Sequence, residues 1–235
     1  MLNNDFLALV ITFLVALFWL RINDFAAHRG WINSQLSRKI IHMGTGPIFV
    51  LCWILFSESI YSRYLAALVP LAITGQFVLV GLGIIQDEAA VQAMSRTGDR
   101  REILKGPLFY GIVFVIVTII YWLDNPIGIT ALMLMCGGDG LADVMGRRWG
   151  KKKLPWAKQK SWIGSLGMFL GGWFFAFGTI AVFVQTNIFS GSLSHYLLPI
   201  TLISLIGTLI ESLPLKDIDN ITVTIAAIVL GYLIF

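Results

Sequence analysis

The stretch PIGITALMLMCGGDGLADVMGRRWGKKK, Pro126 to Lys153, changes character twice within 28 residues. It opens on an apolar run through Met135, meets Asp139 and Asp143 among four glycines, and ends in Arg147, Arg148 and Lys151 to Lys153. An apolar run with no polar face reads as a membrane span and not as a surface helix. Both carboxylates therefore stand where a span of about 20 residues should still be in hydrocarbon.

The rest of the chain agrees with that reading. Of 235 residues, 57% are hydrophobic and 13% charged, with a mean hydropathy of +0.81. A soluble domain carries about a quarter charged residues, so the composition excludes one. The expectation is an all-α integral membrane protein, a single polytopic domain over 1–235. The first residues, MLNNDFLALVITFLVALFWLRIND, lack a basic leader and a small-residue cleavage site, and read as a retained first span. Cys52 and Cys136 both fall in apolar runs, which argues against a disulfide framework.

Eight helical segments are expected, at 6–20, 40–56, 64–86, 107–123, 126–146, 161–184, 196–213 and 221–235, with seven to nine spans compatible with the pattern. The loops between them alternate. Loops one, three, five and seven hold sixteen of the seventeen Lys and Arg residues, Arg63 being the exception. The positive-inside rule then places those loops in the cytoplasm and both termini on the opposite side. Ten of thirteen acidic residues share the cation-rich side, leaving Asp5, Glu58 and Asp124 opposite. Carboxylates contribute little to topology, so their bias marks the cytoplasmic side as the working face.

Asp139 and Asp143 are spaced i, i+4, which stacks them on one face of a helix. Each Asp near a span centre costs about 2.5–3.5 kcal/mol, and the two repel each other. A divalent cation offsets both penalties, and Mg²⁺ accepts one or two carboxylates with phosphate and water oxygens completing its shell. Gly137, Gly138, Gly140 and Gly146 would let either a ligand or a neighbouring helix approach the backbone. Beyond them, Arg147, Arg148, Lys151, Lys152, Lys153, Lys158 and Lys160 form a basic loop. Such a loop is an ordinary topology signal that also meets anionic lipid. Lys160 stands apart because KSWIGS opens the next span, and a helix N-terminus suits phosphate.

Three further groups are candidates. Arg38, Lys39 and His42 lie within one turn in SRKIIHMGTG, the first two as phosphate contacts and His42 as a proton acceptor beside cations. Loop seven, ESLPLKDIDN, offers Glu211, Asp217, Asp219 and Asn220 as oxygen ligands, Glu211 and Asp219 being the candidates for metal. Loop three, QDEAAVQAMSRTGDRREILKGP, reads as a solvated connector or an amphipathic interfacial helix. No P-loop, zinc spacing or Ser-His-Asp order is present, and nothing calls for nucleic acid. Carboxylates for a hard cation and cations for phosphate, on one membrane face, suggest phosphoryl or nucleotidyl transfer onto a lipid.

The blocks RKIIHMGTG, KGPLFYG, CGGDGLADVMGRRWGKKKLPWAKQKSWIGSLGMF and ESLPLKDIDN resemble the polyprenol kinase family, which includes dolichol kinases. The central block is most similar to the phytol and farnesol kinase branch of plants and cyanobacteria. The resemblance implies a multispan helical enzyme that moves the γ-phosphate of CTP, with UTP as an alternative donor, to the hydroxyl of an isoprenoid alcohol. It implies a nucleotide site matching Asp139, Gly140, Asp143, Gly146 and Gly150, then Lys160, Ser161, Gly164 and Ser165. It further implies Mg²⁺ on Asp139 and Asp143, with Lys160, Arg147 and Arg148 balancing phosphate charge. The host would be a plasma or thylakoid-type membrane. A phosphatidate cytidylyltransferase would share the cations and carboxylates, but would release pyrophosphate. A CDP-alcohol phosphotransferase needs Arg where Asp143 stands, and a small ion-coupled transporter would carry its charges at the midplane.

Overall fold

The computed structural model describes residues 2, 4–95, 97–214 and 219–235, with the side chains of Ser34, Gln35 and Asp219 outside that description. Asp217 also lies outside the described residues. The protein is 78% helical, and the described residues contain no strand. All eight expected segments form helices. Among the described residues, six helices are long and apolar enough to cross a membrane: Asp5–His28, Ser62–Leu82, Arg100–Tyr121, Pro126–Trp149, Trp162–Gln185 and Leu193–Glu211. The chain divides into two compact units, Met1–Ile119 and Ile120–Phe235.

The first unit holds α1 (Asp5–His28), α2 (Ser34–Leu51), α3 (Ser62–Leu82), α4 (Glu88–Met94) and most of α5 (Gly106–Tyr121). Helix α1 starts at the Asn4 cap, whose side chain accepts from the amides of Phe6 and Leu7. It runs eight residues past the expected end because polar groups in its last turns find partners. Asn23 donates to the Trp19 carbonyl at 2.8 Å, and Arg21 lies 3.7 Å from Asp24. Charge ended the apolar run but not the helix. Helix α2 likewise begins before the expected position, capped by Asn33 on the Leu36 amide at 2.8 Å. Helix α3 closes on Gly83, whose φ of +80° is the left-handed C-terminal turn that glycine adopts without strain.

Loop three folds into α4 and a 3₁₀ turn, Arg100–Leu104. Ala93, Met94 and Ile103 from it join Leu20, Ile41 and Val80 in the core of this unit, so the connector is packed and not merely solvated. At the other end of α1, Asp5 accepts from the Ser57 amide at 2.7 Å and from the hydroxyls of Ser57 and Ser62 at 2.9 and 2.6 Å. One carboxylate thus joins α1 to the turn leading into α3.

The second unit is built around the stretch quoted first. Helix α6 (Pro126–Met133), a π-helical turn (Leu134–Gly138) and α7 (Asp139–Trp149) form one continuous span. Asn125 caps it on the Ile127 amide at 3.0 Å, with proline at the first position, where no N–H is missed. Every residue from Ile127 to Gly138 is buried, as a helix apolar on all sides requires. Its neighbours are α8 (Trp162–Gln185), α9 (Leu193–Glu211) and α10 (Asp219–Ile234).

Glycines make that burial possible. A Cβ on Gly167 of α8 would stand 2.8 Å from the Leu141 carbonyl oxygen, and one on Gly138 would stand 2.7 Å from Met168 Sδ. A Cβ on Gly164 would meet the Ala142 oxygen at 3.3 Å and Gly146 Cα at 3.5 Å. In lipid, where no hydrophobic force drives helices together, small residues let backbones come close enough for van der Waals packing. Gly138, Gly146 and Gly164 thus allow α8 to pack closely on this span.

Candidate active site

Asp139 follows directly on the π-helical turn, an extra residue per turn that shifts the face presented by everything after it. Upstream the helix is sealed; from Asp139 onward Asp139, Leu141 and Asp143 are only partly buried, and Arg147, Arg148 and Trp149 are exposed. The carboxylates therefore sit at the transition from the packed interior to the open end of the span. Asp143 accepts from Arg147 Nε at 2.8 Å, and its side chain is 25% exposed. Arg148 lies over the Trp149 ring at 5.2 Å.

The basic loop is folded, not extended. Lys153 and Ser161 form an isolated antiparallel bridge, the Leu154 amide donates to the Lys160 carbonyl at 3.0 Å, and the Lys160 amide donates to the Ala157 carbonyl at 2.8 Å. Leu154 and Ala157 are buried beneath it. Ser161 caps α8 by accepting from the Gly164 amide at 3.2 Å. Gly150 is where α7 ends, its amide donating to Gly146, and a Cβ there would collide with Ser161 Oγ. Gly140 is buried within α7.

At the start of α8 the Trp162 amide donates to the Lys152 carbonyl and the Ser165 amide to the Ser161 carbonyl. The Ser165 bond is the helix's own first turn, whereas the Trp162 bond and the Ser161 cap on the Gly164 amide occupy two amides that a bare helix N-terminus would offer to an anion. Ser165 Oγ is buried with no hydrogen-bond partner among the described residues. A buried hydroxyl favours a hydrogen-bond partner.

Lys160 and Glu211, separated by 51 residues, meet: Lys160 Nζ donates to Glu211 Oε1 at 2.8 Å and to the Glu211 backbone carbonyl. The two side chains are 14% and 9% exposed. Glu211 is the last residue of α9, so the ammonium also answers the unpaired carbonyls and negative dipole end of that helix. Removing one partner of such a buried pair costs about 3–5 kcal/mol, since it strands the other charge. Next to it Trp156 Nε1 donates to the Ser212 carbonyl at 3.1 Å and to its hydroxyl at 3.3 Å. Trp156 and Ser212 escaped the sequence reading, and no local pattern could have revealed contacts 56 residues apart.

Arg38, Lys39 and His42 belong to the first unit. Lys39 is buried, and His42 lies 4.4 Å from the Tyr110 ring, whose hydroxyl donates to the His42 carbonyl at 2.6 Å. This contact joins two of the quoted blocks, RKIIHMGTG and KGPLFYG. The side chain of Asp219 lies outside the described residues. Among the described residues, no three His, Cys, Asp or Glu side chains gather to hold a metal ion by themselves. Asp139 and Asp143 nonetheless have the donor chemistry for an Mg²⁺ ion that arrives with a triphosphate, because phosphate oxygens then supply the missing ligands.

A buried helical bundle ending in two carboxylates and a folded basic loop defines an all-α integral membrane protein with a charged site at the end of one span. No family model and no solved structure matches the chain. Curated relatives do. A probable chloroplastic phytol kinase of Triticum aestivum is 39% identical over 217 residues, 92% of this chain and 72% of the relative. The chloroplastic phytol kinase 1 of Arabidopsis thaliana is 39% identical over 209 residues, 88% and 69% of the two chains. The chloroplastic farnesol kinase of the same plant is 38% identical over 234 residues, 99% and 76%. The chain belongs to the phytol and farnesol kinase family, the prenyl-alcohol branch of the polyprenol kinases.

Proposed function

We propose that this protein transfers the γ-phosphate of CTP to the hydroxyl of an isoprenoid alcohol of phytol, farnesol or geranylgeraniol type, releasing CDP. The observation that carries the reading is the position of Asp139 and Asp143: partly open carboxylates one helical turn apart, at the end of a span buried over its preceding twelve residues. Sealing the apolar part of the helix while opening its acidic end suits a reaction between a water-borne nucleotide and a bilayer-borne alcohol. The names of the relatives support phytol and farnesol as the substrate class.

Bound Mg²⁺ would neutralise triphosphate charge and fix its oxygens. Asp139 and Asp143 would hold that ion, and Arg147, Arg148 and Lys160 would bind the phosphate oxygens. The Ser165 hydroxyl, buried and unpartnered, is a donor for the same ligand. The alcohol oxygen forms its bond to the γ-phosphorus as the bond to the β–γ bridging oxygen breaks, and the hydroxyl proton leaves to a base or to water. Catalysis in such a transfer is mostly positioning and electrostatics.

The test supplies purified protein in nanodiscs with phytol, farnesol, geranylgeraniol or dolichol, each with CTP, UTP or ATP and Mg²⁺. The expected products are a prenyl monophosphate and CDP, from a C15–C20 alcohol and CTP. A CDP-lipid with pyrophosphate would make the chain a cytidylyltransferase, and CTP-independent ion counterflow would make it a transporter.

A further inference from the structure

We propose that Glu211 is a positioning residue for the nucleotide, acting through Lys160 as one half of a latch that fixes the basic loop on the end of α9. The proposal rests on the kinase reading above. Glu211 was a candidate metal ligand by sequence, yet its carboxylate is engaged by an ammonium and does not gather with two further acidic side chains among the described residues. Three contacts converge there: Lys160 to the Glu211 carboxylate, Lys160 to the Glu211 carbonyl, and Trp156 to Ser212. Both anchors come from the α7–α8 loop, and both receivers from the last turn and cap of α9.

The geometry gives the latch a consequence for binding. Lys160 immediately precedes Ser161, which caps α8 and bridges to Lys153. Fixing the ammonium therefore fixes the loop backbone and the first turn of α8. An ammonium on a four-carbon stem is otherwise a mobile point charge. Held between a carboxylate and a helix C-terminus, it occupies one place before the nucleotide arrives, which lowers the ordering cost of binding.

The experiment compares wild type, Glu211→Gln, Glu211→Asp and Trp156→Phe in nanodiscs, with rates normalised to folded protein. In Glu211→Gln the KM for CTP should rise about tenfold, while the KM for farnesol and the Mg²⁺ midpoint at saturating CTP stay within about twofold. Glu211→Asp should recover most of that loss. A CTP KM equal to wild type overturns the proposal, and so does a shifted Mg²⁺ midpoint, the signature of a metal ligand. If Glu211→Gln does not fold, Trp156→Phe decides: it keeps an aromatic ring, removes the bonds to Ser212, and should raise the CTP KM about threefold, with no change counting against the latch.

Trypsin gives an arm independent of catalysis, since Lys151, Lys152, Lys153 and Lys158 are exposed. Faster cleavage there in Glu211→Gln or Trp156→Phe upholds the latch even if wild type phosphorylates nothing, a result that would sink the kinase reading alone. Equal cleavage in wild type and both variants overturns the latch.

Discussion

Arg147 Nε stands 2.8 Å from Asp143 Oδ1, one turn further along the same helix, so a predicted metal carboxylate and a predicted phosphate cation form a pair. The arginine is 46% exposed and the aspartate 25%, which keeps the pair solvated and exchangeable. Such pairs contribute about 0–1 kcal/mol to stability. Asp143→Asn should therefore leave the melting temperature nearly unchanged, while removing one of the two carboxylates proposed to hold the metal. Turnover should fall by about two orders of magnitude. Calorimetry beside a CDP-release assay separates the two effects, and a large loss of stability with normal turnover would contradict the assignment.

The metal arrives with its nucleotide on this account. Two carboxylates alone would hold Mg²⁺ weakly, and phosphate oxygens would supply its remaining ligands. EDTA should abolish turnover, yet shift the melting temperature of the nucleotide-free protein by less than about 2 °C, a change expected to stay below about 1 kcal/mol. A large EDTA-induced drop in that state would instead reveal a resident structural ion.

The α7–α8 contact sets a packing prediction. An added methyl on Gly167 would meet backbone, the Leu141 oxygen at 2.8 Å and its carbon at 3.0 Å, and backbone cannot rotate away. Gly167→Ala should destabilise by about 1–3 kcal/mol, as overpacking does. Gly178, on the same helix, has nothing within 4 Å of its would-be Cβ, and Gly178→Ala should be tolerated. Thermal inactivation of the two variants in one detergent makes the comparison.

In the first unit, Asp5 should be structural. Replacing it with Ala removes three acceptor contacts to Ser57 and Ser62. Bonds to a charged group are worth about 1.5–3 kcal/mol each, less here because water can replace part of them. A loss of about 2 kcal/mol is expected, with turnover per folded molecule retained. Denaturation and assay of the same preparation check both halves.

The helices were legible because hydrocarbon imposes one pattern on every span, so apolar length alone located Pro126–Trp149 and Trp162–Gln185. Their ends were less legible. Arg21 and Asp24 broke the hydropathy of α1, whereas the helix continues through them with a side-chain hydrogen bond from Asn23 and an ion pair. Asp139 and Asp143 declared themselves by cost, since carboxylates in an apolar context demand a reason. The π-helical turn left no trace, because LMCGG is equally compatible with an α-helix. The glycines signalled close approach without naming the visitor, and only tertiary contact identified α8. The meeting of Lys160 with Glu211 was out of reach for the same reason: ESLPLKDIDN and the basic loop each looked like an ordinary polar connection, and nothing local encodes the contact of Lys160 with the end of α9.

The central claim is that the Asp139 end of this span performs phosphoryl transfer. Its most direct test is CDP and prenyl-monophosphate formation by wild type and Asp139→Asn, each inserted in the same lipid and supplied with CTP, Mg²⁺ and farnesol. The account predicts product from wild type and at least about a thousandfold loss in the variant, with insertion and melting behaviour preserved. Wild-type turnover in Asp139→Asn would contradict it.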